Sequence, residues 1–115
     1  DHPLPPADPG VDQRVHRALG LLDIAYAQNP DLTEIAAHVE TSPYHFHRLF
    51  SQEMGISPKA YLQRKQMQMA CHLLAATRQP ISDIARQVGY TNHGHFTSSF
   101  QRVIGTSPSR YRESV

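Results

Sequence analysis

The sequence predicts an all-α fold of seven helices, forming two tandem helix-turn-helix subdomains joined by a long connecting helix. Three observations lead there. Apolar residues recur at spacings of three and four, which places them on one face of a helix. Residues 32 to 61 repeat as residues 81 to 111. Matching helix-starting and helix-stopping residues punctuate both copies at the same places.

The repeat is read by direct superposition. Ile35, Ala36 and Val39 pair with Ile84, Ala85 and Val88 at an offset of 49. One inserted residue then moves the offset to 50, and Phe46, Phe50, Gly55, Ser57, Pro58 and Tyr61 pair with Phe96, Phe100, Gly105, Ser107, Pro108 and Tyr111. The insertion falls between two helical patterns, where an extra residue costs least. Two copies make a duplication rather than a solenoid.

Taken in order, residues 1–10 read as linker cut from something longer, because DHPLPPADPG holds four prolines and starts with Asp rather than Met. Residues 11–57 form the first subdomain. Val15, Leu19, Leu22 and Tyr26 make the apolar stripe of a helix from about residue 11 to residue 28. Thr33 is expected to cap a short helix carrying Ile35, Ala36 and Val39, and Ser42 to cap the next, with Pro43 at its first position. Phe46, Leu49 and Phe50 then share one face. Gly55 suits a left-handed stop, and Ser57-Pro58 restarts a helix. Residues 58–78 hold Leu62, Met69, Ala70, Leu73 and Leu74 with no Gly or interior Pro, which predicts one connecting helix. Its length of about 30 Å is close to the roughly 34 Å between successive major-groove faces of B-DNA. Residues 79–115 form the second subdomain, in which Ser82 and Asn92 take the capping parts and Gly105 with Ser107-Pro108 repeats the stop and restart.

Composition narrows the function. A chain of 115 residues, 39% hydrophobic and 18% charged, has the makeup of a modest globular unit with little room for an enzyme cleft. No stretch has the length and apolarity of a membrane span, no secretory signal is present, and the single Cys71 fits a reducing compartment, so a cytoplasmic protein without membrane partners is expected. Net charge is +1, but it is unevenly spread: residues 1–40 carry seven acids and two bases, and residues 41–115 three acids and nine bases. Positive charge therefore collects along the repeats, which suits a polyanionic partner and equally suits solvated helix faces.

The segments LTEIAAHVETSPYHFHRLFSQEMGISPKAYL, MQMACHLLAATRQPISDIARQVGY and HFTSSFQRVIGTSPSRYR resemble the AraC/XylS family of transcription regulators over nearly the whole chain after the linker. The resemblance implies a seven-helix fold whose two recognition helices, residues 43–54 and 93–103, enter adjacent major-groove segments of double-stranded DNA. It also implies control of transcription initiation, with RNA polymerase as a candidate partner and an effector-binding or dimerisation domain upstream. Two residues depart from the family pattern where relatives commonly place arginine: Gln66 and Ser98.

Base-reading candidates follow from the helix faces. With Phe46, Leu49 and Phe50 inward, Tyr44, His47 and Arg48 face outward at spacings of three and four. Arg48 suits guanine O6 and N7, Tyr44 a thymine methyl or a phosphate, and His47 either role. The offset of 50 carries these positions to Gly94, Thr97 and Ser98, flanked by His93 and His95. That second face is nearly uncharged. Backbone contacts are expected from Ser42, Pro43, Lys59, Arg64, Lys65, Asn92, His95, Arg102 and Arg112.

Competing readings are weaker. His45 with His47, and His93 with His95, are two apart and point about 200° apart around a helix, whereas helical metal ligands need spacings of three or four. Cys71 lies within the connecting helix without zinc-binding cysteines, so packing suits it better than the methyl-accepting role of DNA-repair regulators carrying a similar module. Met67, Met69, Leu73 and Leu74 read as core, and no cofactor box is seen. A helical protein-interaction module, or a repair-regulator module lacking its catalytic domain, are the alternatives to DNA reading.

Overall fold

A computed structural model describes residues 12–115 as seven α-helices: α1 (Gln13–Ala25), α2 (Leu32–His38), α3 (Pro43–Met54), α4 (Pro58–Ala76), α5 (Ile81–Gln87), α6 (His93–Ile104) and α7 (Pro108–Ser114). No strand occurs among the described residues. The linker, residues 1–10, and the expected helix start at residue 11 lie outside them.

Each helix boundary has a local cause. The Asp12 carboxylate accepts a hydrogen bond from the Arg14 backbone N–H at 2.8 Å and starts α1. Instead of running on to residue 28 as an α-helix, α1 stops at Ala25. A 3₁₀ turn (Tyr26–Gln28) follows, ending at left-handed Asn29. Pro30 opposes continuation past this turn, because right-handed helical backbone is disfavoured at the residue before a proline.

Two expected caps move. Thr33 lies inside α2, and it is Asp31 that caps the helix, its carboxylate accepting from Thr33 N–H at 2.9 Å. Ser82 likewise lies inside α5, where Pro80 holds the cap position with no side-chain hydrogen bond. Proline presets the backbone dihedral there and leaves the Pro80 carbonyl to accept from Asp83 and Ile84. At the starts of the longer helices the expected caps are present: Ser42 Oγ accepts from His45 N–H at 3.2 Å, and Asn92 Oδ1 from His95 N–H at 2.9 Å. Gly55 (φ 77°) and Gly105 (φ 96°) end α3 and α6 in the left-handed region, and Ser57 and Ser107 cap the helices that follow.

The inserted residue sits in the turn between α5 and α6. Two residues, Glu40 and Thr41, separate Val39 from the cap Ser42, whereas Gly89, Tyr90 and Thr91 separate Val88 from Asn92. Both turns open with a left-handed residue, Glu40 (φ 60°) or Gly89 (φ 102°).

The apolar residues collect in two separate cores. The first packs Val15, Ala18 and Leu22 of α1 against Ile35, Ala36, Phe46 and Phe50, closed by Leu62 from α4. The second packs Met67, Ala70 and Leu74 of α4 against Ile84, Ala85, Phe96 and Phe100. Helix α4 therefore belongs to both subdomains, its first turns to one core and its later turns to the other. Matching aromatic contacts recur: Phe46–Phe50 and Phe50–Tyr61 at 5.7 and 5.8 Å, then Phe96–Phe100 and Phe100–Tyr111 at 5.8 and 5.9 Å between ring centroids. Burial of such rings contributes about 1.5 to 3 kcal/mol each and holds α3 and α6 against their short partner helices.

Candidate nucleic-acid interface

Helices α3 and α6 each bury one face and leave the other in solvent. On α3, Phe46 and Phe50 are buried and Leu49 half-buried, while Tyr44, His47 and Arg48 are exposed, Tyr44 to 73%. An aromatic side chain left that far out, on a helix whose other aromatics are fully packed, is available to a partner. Arg48 makes no hydrogen bond or ion pair among the described residues, so its guanidinium fork is free for a planar acceptor.

On α6, His93, Gly94, His95 and Ser98 are exposed, Thr97 is half-buried, and Phe96 and Phe100 are buried. A side chain at Gly94 would meet the Asn92 Oδ1 cap at 3.2 Å, so the missing side chain keeps the helix start uncrowded. His95 lines a polar cleft of about 320 Å³ with Gln28, Asn29, Tyr90 and Asn92. That placement turns it toward the joint between the subdomains as well as toward solvent. Helical spacing also exposes two residues that the sequence reading passed over. Gln52 lies four after Arg48 and Gln101 four after Thr97, both exposed, and each prolongs its stripe by one turn.

The expected backbone contacts divide. Ser42 and Asn92 use their side-chain oxygens as caps for His45 and His95 N–H, which leaves the Tyr44 amide of α3 and the His93 and Gly94 amides of α6 without an acceptor in their own helix. Lys59 and Arg64 are exposed with no ion-pair partner among the described residues. Arg102 is exposed and reaches Gln63 Oε1 and Ser99 Oγ at 3.5 Å, tying α6 to α4. Lys65 and Arg112 are half-buried and occupied. Lys65 Nζ stands 3.9 Å from Asp23 and 5.9 Å above the Tyr26 ring. Arg112 donates to the carbonyls of Leu74 at 3.2 Å and Thr77 at 3.3 Å, capping the end of α4. Both cations therefore have partners within the chain.

Gln66, which departs from the family pattern, is 1% exposed and donates through Nε2 to Tyr26 O and Asn29 Oδ1, each at 3.2 Å. Cys71 is half-buried, and burial pushes its thiol pKa up, which keeps it protonated and poorly nucleophilic at neutral pH. Among the described residues no group of three or more His, Cys, Asp or Glu could hold a metal ion. No helix there is long and apolar enough to cross a membrane.

Two helix-turn-helix units, each presenting a polar edge on the second helix of the pair, define the class of a tandem helix-turn-helix DNA-binding domain. A family described as a helix-turn-helix domain matches residues 35–114. The arabinose operon regulatory protein of Escherichia coli K12 is 34% identical over 105 residues, covering 90% of this chain and 36% of that protein. The C-terminal domain of AraT, a response regulator from Geobacillus stearothermophilus, superposes with a TM-score of 0.89 at 32% identity, covering 92% of this chain and 88% of that one. The DNA-binding domain of AdpA, a global transcriptional factor solved in complex with a target DNA, shares the fold with a TM-score of 0.84 at 21% identity, covering 90% and 93%. The chain belongs to the AraC/XylS family of DNA-binding transcription regulators. It spans about a third of the length of the curated relatives it matches.

Proposed function

We propose that this domain reads double-stranded DNA in a sequence-specific manner, with α3 and α6 entering consecutive major-groove segments on one side of the duplex. The observation that carries this reading is the duplicated exposure pattern: each recognition helix buries its phenylalanines and presents a polar stripe at the same helical spacing. The described body measures 44 Å along its longest axis, enough to reach across one duplex turn of about 34 Å.

In this reading Tyr44, His47 and Arg48 contact bases in one segment, with Arg48 donating to guanine. His93, Gly94, Thr97 and Ser98 form the second, nearly uncharged edge. Lys59, Arg64 and Arg102 hold phosphates, aided by the amides at the starts of α3 and α6 beside Ser42, Pro43, Asn92 and His95. The two units differ in sequence and share one chain, so the site is asymmetric rather than palindromic.

The greater length of the relatives supports an effector-binding or dimerisation domain upstream in the whole protein. RNA polymerase as a second partner and a cytoplasmic location belong to the same reading. Selection of bound sites from random duplexes at two salt concentrations tests it. The expected result is an asymmetric bipartite site whose affinity falls steeply with salt, by about 0.9 in log K per log salt for each phosphate neutralised. Salt-insensitive binding, or no enriched sequence, would favour a protein-interaction module.

A further inference from the structure

The two apolar cores share no buried residue and are joined through α4. At the joint between them lies one buried amide. Gln66 sits on α4 between Leu62, the last residue of the first core, and Met67, the first of the second. Its Nε2 donates to the Tyr26 carbonyl and to Asn29 Oδ1, which belong to the turn ending α1. The turn leading to α6 closes on the same point from the other side. A Cβ added at Gly89 would lie 3.0 Å from Gln66 Nε2, 3.0 Å from Tyr26 O and 3.3 Å from Ala27 O. First subdomain, connecting helix and second subdomain thus meet around one side chain.

Building on the DNA-reading function above, we propose that Gln66, seated against Gly89, is the positioning residue that sets the angle between α3 and α6 and with it the half-site spacing the domain accepts. The physical basis is directional. A buried donor with two fixed acceptors is satisfied in one arrangement of the surrounding backbone and left unpartnered in others. Gly89 adds a steric condition, since its left-handed backbone (φ 102°) and lack of a side chain let the second subdomain approach this closely. Lys65, one position earlier, holds the same turn through Asp23 and the Tyr26 ring. Gln66 touches no DNA in this scheme and acts through the recognition helices.

The test uses Gln66→Met, which keeps the bulk and removes the donor, and Gly89→Ala, which forces the contact apart. The DNA probes are the site selected by the unaltered protein, the same site with one or two base pairs inserted between its halves, and its first half alone. Each insertion turns the second half by about 34°. The unaltered protein should lose about tenfold or more in affinity per inserted base pair. Both variants should lose about tenfold on the parent site, show a spacing dependence flattened to about twofold, and bind the first half-site as before. Residual dipolar couplings on DNA-free protein give an independent readout: one alignment tensor should fit α3 and α6 in the unaltered protein, and two should be needed in the variants. A variant that keeps the original spacing profile, or whose couplings fit the unaltered tensor, overturns the proposal. If Gln66→Met does not fold, Gly89→Ala carries the same comparisons. Absence of any selected site in the unaltered protein would count against DNA reading, and the couplings would still decide the role of Gln66.

Discussion

Arg48 carries the most direct prediction. Arg48 has no partner among the described residues and stands on the exposed edge of α3. Replacing it with alanine should cost about 1 to 3 kcal/mol on the selected site and relax base preference at one position, with little change on random DNA; competition binding with single-base variants of the site measures this. His45, His47, His93 and His95 are all exposed in the first two turns of α3 and α6. Beside them the fixed charges on these two helices are Arg48, Arg102 and Glu53, and the Glu53 carboxylate accepts from the Asp12 backbone N–H at 2.7 Å.

Helix α6 starts on a side-chain cap, as α3 does. Its first turn holds no acidic residue, and Asn92 Oδ1 is the side chain satisfying a first-turn amide. Asn92→Ala should therefore cost about 1 kcal/mol of stability, read as a lower Tm, and should weaken DNA binding because the amides nearest the phosphate lose their fixed direction. Much of this punctuation could be read directly. Ser42, Asn92, Gly55, Gly105 and both Ser-Pro pairs act where expected, because a cap or stop involves residues within one turn of each other. The misplaced caps at Thr33 and Ser82 have a common cause. In each case a nearby residue, Asp31 or Pro80, also suits a helix start, and one turn of sequence does not choose between two adequate starters.

In the whole molecule, the joint and the end of α4 redistribute the cations. Arg112, expected on phosphate, spans α7 and the last carbonyls of α4. Arg112→Ala should accordingly lower Tm by about 4 °C or more, in line with about 1 kcal/mol lost from a hydrogen-bonded charge. Its affinity for selected and random DNA should be little changed once folding is ensured by measuring below the transition. A uniform loss of affinity with unchanged Tm would return Arg112 to the DNA face.

Helix number, the inward and outward faces of α3 and α6, and the duplication were legible from residue order, since three-to-four spacing and capping act between neighbours along the chain. Family membership followed from the same pattern. The duties of Gln66, Lys65 and Arg112 were not legible. Each depends on partners 35 to 42 positions away, such as Tyr26 and Asn29 for Gln66 or Leu74 and Thr77 for Arg112. A side chain's charge is written in the chain, but whether that charge meets water, a carbonyl or a phosphate is settled when distant segments pack together.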